Sequence, residues 1–303
     1  MRIIEKRPML HPEISALISL IEDPDEGIYT QVRAELKSRG EQIIPQLEQY
    51  WELHEFGPLF HKRVEELISS IQYESVYNRL RDWRNSPEQD LLEGAIILNR
   101  YQYPGFDETE LRRSVSRLRQ DIWLELNDNL TALETVRVFN HMLFQLHGFH
   151  GNQEVHSSPQ DHFLTDLLST KCGNPTSLGM LYCLLAKTLD VPVYGVNLPS
   201  HFLLCFMDYT PGLEDFLPPL EDSEVLFYVD PFTQGAVLTR DDIDDYLRNH
   251  RLNPEERFYR PCSSLSVIIR LMNSLIHSYI ALNRDDKVRE LRTLQSILLE
   301  RMD

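Results

Sequence analysis

The chain has 303 residues, 42% hydrophobic and 25% charged, a composition that fits a globular protein with about two domains and a sizeable core. Forty-seven acidic against 30 basic residues give a formal charge of −17, which repels phosphate backbones and anionic lipid surfaces, so neither nucleic acid nor membrane is expected as a partner. The apolar runs Leu178 to Ala186 and Val267 to Leu275 stop well short of the ~20 residues that cross a bilayer. Cys172, Cys183, Cys205 and Cys262 show no C-x-x-C spacing, as in reduced proteins, and the N-terminus carries no signal-peptide pattern. A cytoplasmic location is the expectation.

From Glu13, the residues Ile14, Leu17, Ile18 and Ile21 fall at helical spacing before a "DPDE" break. A second helix follows with Ile28, Val32 and Leu36 on one face, Asp25 as its N-cap and Gly40 as its stop. Ile43, Ile44 and Leu47 resume the pattern, and Leu59, Val64, Leu67 and Ile68 form the next face. Helices from Tyr73 to Trp83 and from Glu88 to Asn99 precede a break at Pro104 and Gly105, where the domain boundary is placed. The paired helices around "DPD" resemble a HEAT repeat, which implies a partner-holding surface; an ordinary helical bundle fits the same pattern.

Two amphipathic helices follow, Glu108 to Asn127 and Ala132 to Leu146; the arginines of "ELRRSVSRLRQ" read as a solvated face of the first. "HGFHGNQEVHSSPQDH" is a polar loop, in which Phe149 and Phe163 are assigned to the core. Its histidines, His147, His150, His156 and His162, lack the Cys or carboxylate partners of a known metal pattern. No metal is expected. "GNPTSLG" lacks the phosphate-loop lysine, and no cofactor is expected.

"VPVYGVN", "HFLLCFM" and "VLFYVDPF" are β-branched or aromatic and bounded by breakers, and they predict a small antiparallel sheet. "DYTPGLEDFLPPLEDSE" reads as a surface hairpin connection, and the tail from Ser263 as a helical hairpin broken at "NRDD". His201 is thereby placed on a strand and Asp230 at the end of a later one. A carboxylate beside a histidine fixes the tautomer and leaves the other ring nitrogen for a nucleophile, which belongs at a helix N-terminus near Pro175.

The segments "LFQLHGFHGN", "GNPTSLGMLY", "LDVPVYGVNLPSHFLL" and "YVDPFTQG" together resemble the bacterial SirB-type proteins, a branch of the transglutaminase-like superfamily. The resemblance, which runs from about Leu111 to Asp241, implies an α+β, papain-like core with a small antiparallel sheet, placed over residues 106–260, and a helical tail similar to tetratricopeptide repeats, of which one hairpin over 261–303 remains; the helical periodicity upstream makes 1–105 an all-α domain. The resemblance also implies a Cys-His-Asp triad in which His201 and Asp230 match the last two members. The position of the cysteine falls on Pro175, which has no nucleophilic atom. Cys183 lies ~12 Å into the helix at 1.5 Å per residue, and Cys205 ~13 Å along the strand from His201, so neither serves. Cys172 remains the candidate thiol, because a turn through Gly173 can carry it toward the helix start. Thr176 and Ser177 are hydroxyl alternatives that also suit capping. Asn174, Ser177 and Asn197 are candidate binding residues. Two functions stay open: a non-catalytic scaffold with a protein or peptide partner, or a cysteine-dependent amidase, peptidase or acyltransferase using Cys172, His201 and Asp230.

Overall fold

The computed structural model describes residues 12–53, 57–153, 158–208 and 224–300. The chain divides into two compact units, residues 1–79 and 80–303, so the division falls inside a helix upstream of the Pro104–Gly105 break. His156 and nearly all of "DYTPGLEDFLPPLEDSE" lie outside the described residues.

In the first unit, α1 (Pro12–Ser19), α2 (Glu26–Ser38), α3 (Ile44–Leu53) and the first part of α4 (Pro58–Asn85) surround a core of Ile18, Ile21, Val32, Leu36, Leu47, Phe60, Val64 and Leu67. Asp25 caps α2 by accepting from the Gly27 and Ile28 N–H groups, and Gly40, at φ +64, turns the chain after it. Arg63 is 4% exposed; it donates to the Ile21 and Asp23 carbonyls at 2.8 Å each and to Glu26 at 2.6 Å, and it lies over the Tyr29 ring. A buried guanidinium paired this fully costs little, and it ties the turn after α1 to α4. The break expected between the Leu59–Ile68 face and a helix at Tyr73 is absent, because no Pro or Gly separates them.

In the second unit, α5 (Leu91–Gln102), α6 (Glu108–Glu125), α7 (Ala132–Asn140) and α8 (Leu164–Thr170) pack against α9 (Pro175–Thr188), whose residues Thr176 to Ala186 are all buried. The helix expected to run to Leu146 changes at His141 into a π-helical turn. A short parallel pair joins β1 (His150–Gly151) to β2 (Cys172–Gly173). The antiparallel sheet has the order β3 (Val193–Val196), β4 (Leu203–Met207), β5 (Val225–Asp230), β6 (Ala236–Leu238). Alternation along β4 sends Leu203, Cys205 and Met207 to the face packed with Ile243 and Leu247 of α10 (Arg240–Asn249), and α9 contacts β3 and β4.

The tail is the expected hairpin, α11 (Ser264–Ala281) and α12 (Asp285–Leu299). By length and composition α11 is apolar enough to cross a bilayer, and here Val267, Ile268, Leu271, Met272 and Leu275 bury its face inside the second unit. The result is an α+β core with helical flanks.

Candidate functional site

Site geometry begins at the start of α9. Pro175 occupies the first helical position, where its missing N–H costs nothing, and Asn174 is the N-cap. Asn174 Oδ1 accepts from the Ser177 N–H at 2.9 Å, while Ser177 Oγ accepts from the Asn174 N–H at 3.0 Å and donates to the Asn174 carbonyl at 3.2 Å. The Ser177 hydroxyl is wholly buried and fully engaged by this capping box. Asn174 Nδ2 is buried without a hydrogen-bond partner.

His201 is not on a strand. It follows Ser200, which adopts a left-handed φ of 57°, in a turn that ends before β4 begins at Leu203. Three contacts fix that turn: the His201 N–H donates to the Leu198 carbonyl at 3.1 Å, Tyr246 Oη donates to the Pro199 carbonyl at 2.9 Å, and Arg270 Nη2 donates to the His201 carbonyl at 3.1 Å. The next side chain, Phe202, is wholly buried with its ring against Gly179 of α9 and Gly195 of β3.

Asp230, the last residue of β5, meets this turn. Its Oδ2 lies 3.1 Å from His201 Nε2, and its Oδ1 accepts from the Phe232 N–H at 2.9 Å. Burial acts to raise the Asp230 carboxyl, but the hydrogen bond to His201 and the charge on that ring, with help from Phe232 and Thr233, outweigh it and hold the group below the ordinary carboxylate range. With Asp230 ionised, Nε2–H is the donor and Nδ1 carries the lone pair in the neutral ring. Nδ1 hydrogen-bonds no described residue, Cys172 included. Pro231 and Phe232 continue from Asp230 so that the proline approaches Gly179 and the Phe232 ring covers Gly151, the register partner of Gly173. The residues that follow the pair in the chain, Phe202 and Pro231, thus both approach Gly179 in the second turn of α9.

The thiols are distributed otherwise. Burial pushes Cys183 and Cys205 far above the ordinary thiol range and Cys262 up to about 12, which keeps all three protonated at neutral pH. Cys172 is partly exposed on β2 opposite His150, its N–H held by Thr170 Oγ1 at 3.2 Å. None of the four forms a disulfide. The loop histidines disperse: His147 approaches Asp121 at 3.1 Å, His150 bonds the Gly148 carbonyl, and His162 is buried between the Pro159 and Ser158 carbonyls and Ser274 Oγ. Desolvation lowers His162 to about 4, so it is a neutral packing residue.

Asn197 does not reach the His–Asp pair directly; its Oδ1 accepts from Arg270 Nη1 at 2.9 Å. Arg270, which grips Asn197 and the His201 turn together, was missed by the sequence reading. The signal was present, since it is the single Lys, Arg, Asp or Glu in the apolar stretch Ser264–Ala281.

The buried helix α9, the small antiparallel sheet beside it and the hydrogen-bonded His201–Asp230 pair make up an α+β core. A model of the transglutaminase-like superfamily matches residues 109–273, more than half of the sequence, and the chain belongs to that superfamily. A UPF0162 protein of Xylella fastidiosa (strain 9a5c) is 26% identical over 207 residues, which cover 65% of this chain and 67% of the relative. A UPF0162 protein of Vibrio cholerae is 30% identical over 118 residues, 38% of this chain and 43% of the relative. F-box only protein 21 of Homo sapiens is 22% identical over 208 residues, 61% of this chain and 32% of that protein. No solved structure is significantly similar.

Proposed function

We propose that the chain is a non-catalytic, cytoplasmic binding or scaffold member of the superfamily, of the SirB-type branch, that keeps the His201–Asp230 pair and has lost the nucleophile. The observation that carries this reading is the start of α9: Pro175 stands at its first position and the Ser177 hydroxyl is consumed by the capping box. His201 Nδ1 meanwhile has no thiol within hydrogen-bond reach among the described residues. Without an attacking atom, the first step of acyl transfer has no agent. The pair then acts as a hydrogen-bonded strut between the turn before β4 and the end of β5. HEAT-like helices at the N-terminus and a tetratricopeptide-like hairpin at the C-terminus supply surfaces for a protein or peptide partner.

The competing reading is a thiol enzyme in which Cys172 attacks an acyl carbon and His201, oriented by Asp230, moves the proton. It is favoured by the orientation of the ring, whose Nδ1 is left available. The two readings separate on turnover: p-nitrophenyl acetate and a glutamine-containing peptide with an amine acceptor are offered to the full chain and to its His201→Ala variant. Equal background rates are expected, and turnover abolished by His201→Ala overturns the scaffold reading.

A further inference from the structure

Arg270 is a half-buried cation whose described partners are both neutral, Asn197 Oδ1 and the His201 carbonyl. Its guanidinium has five N–H donors, so three remain after these two bonds. No carboxylate among the described residues pairs with it, and burial penalises its charge, lowering it from the ordinary arginine value. An isolated charge taken from water costs free energy that a counter-ion would offset.

A cleft of about 540 Å³ opens beside Arg270, lined also by Asn197, Arg257, Arg260, Ser263 and Ser266. No Asp or Glu among the described residues lines it, although the whole chain carries a formal charge of −17. Two of its three guanidiniums have carboxylate neighbours: Arg257 pairs with Glu255 at 2.8 Å, and Arg260 with Glu256 at 3.0 Å, a carboxylate that Arg240 shares at 3.5 Å. The third, Arg270, has none. The cleft therefore presents the uncompensated charge of Arg270, the Ser263–Ser266 hydroxyl pair, 3.1 Å apart with one of its two protons engaged between them, and a volume inside the range of small-ligand sites.

We infer that this cleft is a binding site for a monoanionic carboxylate, with Arg270 as its counter-ion and Arg257 and Arg260 as the rim. A planar carboxylate matches the guanidinium fork, which can hold both of its oxygens in parallel hydrogen bonds. The carboxylate belongs either to a free small acid or to the C-terminus of a peptide. Because Arg270 also holds the His201 carbonyl, occupancy of the cleft reaches the turn that carries the histidine. The site goes beyond the scaffold reading and stands whether or not Cys172 reacts.

Arginine side-chain N–H resonances of the full chain, followed by NMR, test this assignment. The titrants are acetate, inorganic phosphate and acetyl-trialanine with a free or an amidated C-terminus. A carboxylate titrant, acetate or the free-acid peptide, shifts the Arg270 resonance saturably, and the amidated peptide binds at least about tenfold more weakly, about 1.4 kcal/mol. Acetate binding as tightly as the free-acid peptide identifies a small acid, and a tighter peptide identifies a chain terminus. Arg260→Gln, on the rim and away from the His201 turn, weakens binding several-fold with unchanged melting, and Arg270→Lys weakens it further while keeping the charge. The assignment is overturned if no carboxylate saturates by about 50 mM, a concentration covering even millimolar-class affinities. It is equally overturned if phosphate binds more tightly, if acid and amide bind alike, or if neither variant changes the affinity. Cysteine labelling and turnover of the chain without added titrant test the scaffold reading separately.

Discussion

Replacing Gly179 by alanine places a methyl group where there is no room. A Cβ at this position would lie 2.5 and 2.6 Å from two carbons of the Phe202 ring, and that ring is wholly buried with its far end against Gly195. The helix gains about 1 kcal/mol from the better propensity of alanine. Overpacking a core that cannot give costs about 1–3 kcal/mol, and two contacts this short put the cost toward the upper end. A net loss of about 1–2 kcal/mol is expected, which lowers the melting transition of a unit this size by about 2–8 °C. Phe202→Leu alone also destabilises, by opening a void. In the double variant the smaller side chain makes space for the methyl, so the two losses sum to less than their parts, with a coupling of about 1 kcal/mol. Calorimetry of the four proteins measures the cycle. Gly179→Ala as stable as the parent, or strictly additive losses, would refute the packing of the His201 turn onto α9 through Phe202.

Further outcomes follow from the same geometry. His162, lowered to about 4 by burial, takes up a proton more readily when unfolded, so its contribution is intact above the unfolded value near 6.5 and is lost as pH falls toward 4, on the order of 3 kcal/mol in all. Urea midpoints across that window should fall more steeply for the parent than for His162→Gln. Asp230, held below the ordinary carboxylate range, contributes stability above about pH 4 that disappears as pH drops through its folded value. Asp230→Asn should cost about 1–2 kcal/mol at pH 7 by urea unfolding, through loss of the charge-assisted bond to His201. Ser177→Ala removes a capping-box hydroxyl and should cost about 1 kcal/mol in the same assay while leaving cysteine labelling unchanged.

The sequence made α9, the three longer strands and the C-terminal hairpin legible because each is a periodic or apolar run with breakers at its ends. Asp230 was placed correctly at a strand end by the same logic. His201 was not, since "NLPSH" reads as the approach to a strand, whereas Ser200 turns left-handed and keeps the histidine outside it. β1 and β2 pair over only two residues each, too short for any period to register, yet through Phe232 and Gly151 they bring the Asp230 turn beside Gly173. The helix Arg240–Asn249 hides among charges, with only Ile243 and Leu247 buried, and is marked by its Thr239 capping box. Arg270 shows its role only once the chain folds, because Asn197 and His201 lie 73 and 69 residues away.

In the scaffold reading, His201 and Asp230 persist without a nucleophile. Its most direct measure is the rate at which iodoacetamide alkylates Cys172 at neutral pH, resolved by peptide mass spectrometry, in the parent and in His201→Ala. An ordinary partly exposed thiol, with a pKa near 8.5, reacts at a rate set by its small thiolate fraction. That rate or a slower one, unchanged in the variant, is expected of Cys172. Alkylation tenfold or more above it, collapsing when His201 is removed, would show a thiolate–imidazolium pair and overturn the scaffold reading.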